Sequence, residues 1–340
     1  MNYLLLSIVL CALLAAWKRR GSEEASLFGF GKEETLPLRG LMAMIVVFSH
    51  LDTKTHFALH VLAVLHWATP AVAVFFFLSG YGLVKSHTAA EASGRLAGYW
   101  PAFWCRSLVR LMVPLLVVGA VWAVTRFFVL DLAPLAFLRR LPKYVLRPPF
   151  SWYVWAQLLF YLLFFLSFRF FGRGRRVPIV CLMVLTYFIV MKYAIGTIIF
   201  YWVTSMAFAV GVAFSENEDK VRSMVAKFPV RVYLAVAAAA AAFLAARKLG
   251  FWHVPVREAF YIVIGPSFAL LLYAFDWLRH VRPLMVLGGV SYEIYLVHGV
   301  VLNNLLRFGW PPVILVVVVV PVTIILAVFL NIALRRRRKI

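Results

Sequence analysis

Acidic residues are scarce in this 340-residue chain: 13 Asp and Glu stand against 35 Lys and Arg, and charged residues make up only 14% of it. That is too little charge to coat a water-soluble body that is 64% hydrophobic with a mean hydropathy of +0.91, so an ordinary soluble domain is excluded. Cysteine is nearly as rare. Cys11, Cys105 and Cys181 lie in or beside apolar runs and offer neither ligand spacing nor a disulfide framework. A nucleotide-type phosphate loop is missing, because "GFGKEET" has no strand to launch it. There is no internal repeat. The longest connections, residues 18–36, 87–107, 131–150 and 215–229, are too short for a second core. The basic residues punctuate apolar runs instead of forming one stripe, which speaks against a nucleic-acid partner.

Apolar runs of membrane length are what the chain has. A hydrocarbon core of about 30 Å takes roughly 20 helical residues per crossing, and backbone groups in lipid pair internally only in helices or closed barrels. The alternating segments of a barrel are missing, so the expected fold is an all-α polytopic membrane protein. Eleven spans are expected, near residues 2–17, 37–52, 68–86, 108–130, 151–171, 177–192, 197–214, 230–246, 258–275, 284–304 and 312–334. With the "RRRRK" tail cytoplasmic, the N-terminus lies outside, and 24 of the 35 basic residues fall on the cytoplasmic side against 11 outside, as short basic loops require. The first run carries "KRR" after its apolar stretch instead of before it, so it reads as an extra span with its linker, residues 1–35, ahead of a main domain over residues 36–340.

One span asks for more than lipid. "LPLRGLMAMIVVFSHLD" sets Arg39 and His50 eleven positions apart, a turn of about 1100° that leaves them within about 20° on one helical face and roughly 16 Å apart along the axis. Both are costly in hydrocarbon and point to a polar cavity; snorkelling of Arg39 and a boundary role for His50 are the plain alternative. Arg106 and Arg110, four apart, also share a face. Glu293 is the one acid expected deep inside a span, as a counter-ion for an arginine or as a neutral acid bonded to a neighbouring helix. Tyr295 and His298, three apart, share a face on which they line a path or, for His298, satisfy a backbone carbonyl. A weaker alternative is a metal site at Asp52, His56 and His60, which follow one another at four-residue spacing.

Five segments in order resemble the acyltransferase family 3 membrane proteins: "LRGLMAMIVVFSH", with an arginine, ten residues and a histidine; "AVFFFLSGYGLVKS", containing Ser79, Gly80 and Tyr81; "WCRSLVRLMVP", with Arg106 and Arg110; "SWYVWAQLLFYLL", containing Trp152; and "LGGVSYEIYLVHGVVL", with Tyr295 and His298. The resemblance covers residues 36–334 and implies a ten-helix unit, which the second to eleventh spans supply. It further implies transfer of an acetyl or other short acyl group from acyl-CoA to a hydroxyl of a cell-envelope carbohydrate or glycolipid, in the plasma (inner) membrane, with acyl-CoA as co-substrate and no tightly bound cofactor.

Under that resemblance His50 is the expected base, since a neutral imidazole in a partly desolvated cavity suits proton abstraction near pH 7. Arg39, Arg106 and Arg110 become the expected cations for the phosphates of the donor, with Ser79 beside its arm. Tyr81, Trp152, Glu293, Tyr295 and His298 are expected to support the acceptor path. Two other classes fit a basic polytopic chain. A membrane-bound O-acyltransferase of unrelated fold pairs a span histidine with an upstream asparagine, whereas Asn303 and Asn304 follow His298. An exporter of envelope polysaccharide or of a lipid-linked substrate calls for repeats and broken helices.

Overall fold

The computed structural model describes residues 2–18, 31, 33–55, 67–130 and 134–337. Fourteen α-helices follow one another: α1 (Asn2–Lys18), α2 (Leu36–Thr55), α3 (Ala68–Ala92), α4 (Leu96–Leu130), α5 (Pro134–Leu146), α6 (Trp152–Phe170), α7 (Arg173–Ile189), α8 (Met206–Glu216), α9 (Glu218–Lys227), α10 (Pro229–Lys248), α11 (Val254–Ala274), α12 (Arg282–Gly289), α13 (Ser291–Leu305) and α14 (Pro312–Arg337). No strand occurs among the described residues. Among the described residues nine helical stretches are long and apolar enough to cross a membrane, and the bent pair α12–α13 brings the number to ten. Helix α1 is a shorter apolar element of 17 residues. The chain is an all-α multi-pass membrane protein.

Lipid acts as the outer solvent of this bundle. Leu182, Val317 and Phe329 leave most of their surface uncovered, which hydrocarbon tolerates and water would not. The interior is built on α3, which packs against α2, α8 and α11. Close approach of α3 and α8 rests on two glycines that face each other's backbone: a Cβ on Gly80 would strike the Phe208 carbonyl, and one on Gly211 the Phe77 carbonyl. Small residues at such a crossing are the usual means of packing helices where no hydrophobic drive exists between them. Gly80 therefore serves as a packing notch. Helix α1 lies along α10. Its Leu5, Ile8, Ala12 and Ala15 are buried, as are Val236, Ala237 and Ala240 of the alanine-rich α10, and the Lys18 ammonium ends the helix by donating to the Ala274 carbonyl at 3.2 Å.

Four expectations change in the structure. The run over 284–304 is two helices meeting at 74°, broken where Gly288 packs on the Leu36 backbone and Val290 leaves helical geometry. Glu293 accordingly sits in the first turn of α13, where unpaired backbone N–H groups favour a carboxylate, instead of deep in a continuous span. The connections over 131–150 and 215–229 hold α5 and α9. Helix α4 starts at Leu96 and runs 35 residues, about 52 Å, so it projects well beyond the hydrocarbon.

Candidate active site

A cavity of about 460 Å³ opens at one end of the bundle, walled by the C-terminal turns of α2, the first turns of α3 and α6, a short 3-10 turn at Ile199–Tyr201, and α13. His50 lines it together with Ser49, Thr53, Lys54, Thr69, Trp152, Phe150, Phe200 and Tyr295. Flat rings and three hydroxyl groups thus face the same space. Cavities of this size and mixed lining are typical of small-ligand sites.

The imidazole of His50 is fixed by its neighbours. His298, fully buried in α13, places Nε2 at 2.8 Å from Nδ1 of His50 and Nδ1 at 3.2 Å from the Ile294 carbonyl. A carbonyl can only accept, so Nδ1 of His298 carries the proton and its Nε2 is the acceptor. Nδ1 of His50 must then donate, which leaves Nε2 of a neutral His50 with a free lone pair. This is the arrangement of a base with an orienting partner behind it. His298 does not line the cavity; it holds the ring that does.

Phe150 makes the second clamp. Its ring stacks on His50 at 3.9 Å between centroids with 7° between planes, and lies nearly parallel to His298 at 5.1 Å. Its carbonyl accepts the Tyr295 hydroxyl at 2.6 Å. Among the described residues Phe150 is the only non-glycine with positive φ, at 64°. Left-handed backbone at a bulky residue costs about 1–2 kcal/mol, and it persists only where surroundings impose it. Here the surroundings are the Tyr295 bond to its carbonyl and the packing of its ring on His50 and Gly299. Sequence reading passed over Phe150, since nothing in "RPPFSW" announces a ring turned onto a histidine.

Arg39 lies three turns away in α2 and is not among the residues lining the His50 cavity. It sits close enough to Arg110 of α4 for the two charges to repel, with Tyr153 and Tyr161 of α6 beside them. Arg110 donates to the Tyr161 hydroxyl at 2.9 Å. Among the described residues neither guanidinium pairs with a carboxylate. Arg39 is half-buried and Arg110 reaches the exposed side of α4, so two nearby cations with only phenols for company can take up an added anion from outside the bundle. Tyr153 separates this pair from the cavity: it is within electrostatic reach of both arginines and packs on Tyr295 at 5.0 Å and on Phe76 at 4.9 Å.

Other expected residues fall elsewhere. Arg106 is exposed and donates to the Ala102 carbonyl of its own helix at 3.0 Å, so the structure does not join it to Arg39 and Arg110. The Ser79 hydroxyl accepts from Gln157 of α6 at 2.7 Å. Tyr81 donates to Glu218 at 2.6 Å, a knot that also takes Lys85, Arg222 at 2.7 Å and Tyr273 at 3.2 Å, and it is not part of the cavity wall. Burial alone would raise the Glu218 carboxyl, but its bonds from Lys85, Tyr81 and Arg222 outweigh that and hold it at about 2. Glu293 accepts from Asn331 of α14 at 2.8 Å, which is the bond to a neighbouring helix and not an arginine pair. Asp52 is half-buried near the end of α2, while His56 and His60 lie outside the described residues; no group of metal-ligating side chains occurs among those described.

A family model described as an acyltransferase domain matches residues 38–332, nearly the whole chain. No curated protein and no solved structure matches.

Proposed function

This membrane chain belongs to the acyltransferase 3 family and is an acyltransferase, and from that premise we propose that it moves an acetyl or other short acyl group from acyl-CoA to a hydroxyl of a cell-envelope carbohydrate or glycolipid. The observation that carries the reading is the His50–His298 bond, which turns an unprotonated Nε2 into a cavity walled by rings and hydroxyls. Aromatic faces suit the C–H face of a sugar, and the hydroxyls of Ser49, Thr53 and Thr69 suit its polar edge. In the proposed reaction Nε2 takes the proton as the acceptor oxygen attacks the thioester carbonyl. The C–O bond forms, the tetrahedral intermediate collapses, the C–S bond breaks, and the leaving thiolate recovers the proton from His50. His298 and Phe150 keep the ring in one orientation through both transfers.

The donor is assigned to the opposite end. Arg39 and Arg110 offer an uncompensated pair of charges for a phosphate, with the thioester directed past Tyr153 towards His50. Arg106, exposed on α4, remains available only to the outer parts of such a ligand. His50→Ala should lower acyl transfer by about 10²–10⁴-fold, the usual share of a general base, while titration calorimetry of acetyl-CoA shows unchanged donor affinity. Arg39→Ala should do the reverse and weaken donor binding. Transfer that survives the first change rules out the base; donor affinity that survives the second rules out the phosphate role. Free thiol released in step with acyl transfer separates this enzyme from an exporter, which would release none.

A further inference from the structure

Helix α5 buries none of its residues. It leans on α4 through Phe137, 4.9 Å from Phe127, and through Val145, whose carbonyl lies against Gly119. Its other side carries Arg139, Arg140 and Lys143, and Arg147 continues the same turn, its N–H bonded to the Lys143 carbonyl at 2.9 Å. At about 100° per residue the four cations fall within an arc of about 100°, with Arg139, Lys143 and Arg147 in line. All four are exposed, and none of their side chains makes a hydrogen bond or ion pair among the described residues. Asp131, eight positions before Arg139, is the one acid near them in the chain and none follows until Glu216, so the four cations outnumber the acids around them. Leu135 and Leu138, 63% and 58% exposed, border the basic face. A helix of this kind lies along the boundary between lipid and water.

Its location makes the charge unusual. The residues after α5 lead straight into the cavity wall, Phe150 and Trp152 being three and five positions beyond Arg147. The opposite end of the bundle holds the Arg169–Arg176 cluster and α9. On the orientation expected from the basic loops that opposite end is the cytoplasmic one, and anchoring by cytoplasmic cations then does not account for four cations at the cavity end. A fixed anion does.

We propose that α5 docks the phosphate of a membrane-anchored, phosphate-bearing glycolipid, and that this lipid is the acceptor whose hydroxyl enters the His50 cavity. The acceptor half rests on the acyl-transfer reading; the docking half does not. Leu135 and Leu138 meet the acyl chains, the basic row meets the phosphate, and Lys54 at the cavity mouth continues the positive path inward.

The test uses the full chain in phosphatidylcholine nanodiscs, titrated with fluorescent phosphatidic acid as the phosphate probe. Wild type should bind the probe saturably, and R139Q/R140Q/K143Q/R147Q should weaken binding roughly tenfold or more. The charge-keeping R139K/R140K/R147K should bind as wild type does. Equal binding by the glutamine variant overturns the docking surface. In a second arm, membranes receive radiolabelled acyl donor. Label should enter a phosphate-bearing, solvent-extractable lipid, with a higher acceptor KM in the glutamine variant and unchanged acceptor-free thioester hydrolysis. Label confined to water-soluble material overturns the acceptor assignment. A wild type that labels nothing overturns it together with the acyl-transfer reading, and the probe titration still decides the docking surface.

Discussion

His50 owes its fixed orientation to two contacts that no local pattern contains. Its position in an apolar run was legible, because a titratable side chain in a span is expensive and stands out. So was His298. Their mutual bond was not, because it joins residues 248 positions apart. Phe150 was wholly hidden: its left-handed backbone is held by contacts with Tyr295 and His50, and a lone phenylalanine in a loop carries no signal. Phe150→Gly separates the two costs. Glycine relieves the positive φ but deletes a packed ring and loosens the unfolded chain, so thermal stability in detergent should fall by less than for Phe150→Ala, while the loss of the stacked ring should lower kcat by about tenfold with donor affinity unchanged. A kcat that stays at the wild-type value would show that the ring does not position the base.

At the scale of elements, the spans were legible because about 20 apolar residues can do little else. The break between α12 and α13 was not, since its cause is the backbone of α2 pressed on Gly288. Helix α5 was read as a loop because it is short and carries Pro142 inside it. The acid that ties helices together was misjudged in the same way. Glu218 follows a span end and looked like a loop residue, yet it is only 2% exposed and draws α3, α9 and α11 into one knot. Its carboxyl titrates at about 2 in the folded chain against 4.5 when unperturbed. A depressed carboxyl stabilises fully above the unfolded value and loses that contribution as pH falls from 4.5 towards 2. Wild type should therefore lose thermal stability steeply over that interval, and Glu218→Gln should be less stable near neutrality with a shallower loss below pH 4.5. Parallel stability curves for the two proteins would refute the assignment.

Over the whole molecule, the arginine pair and the histidine pair occupy separate compartments of one bundle. The sequence placed Arg39 and His50 on one face about 16 Å apart. It did not show that aromatic side chains from α3, α6 and α13 stand between them, because such a wall is assembled from three distant segments. Tyr153 is the residue common to both sides. Tyr153→Trp should narrow the passage, lowering kcat about tenfold or more while the donor still binds the arginines with wild-type affinity. Loss of donor affinity instead would place Tyr153 in the anion site and leave the passage elsewhere.

The distance between the two polar ends has an energetic meaning on the proposed reaction. The phosphates of the carrier stay with the arginines, and only its thioester arm reaches the histidines. The bulky, charged end of the donor then never needs a route through the bundle, because only a slender neutral arm enters it. A fold that grips the donor at one end and the acceptor at the other would work as an extension cord for group-transfer potential.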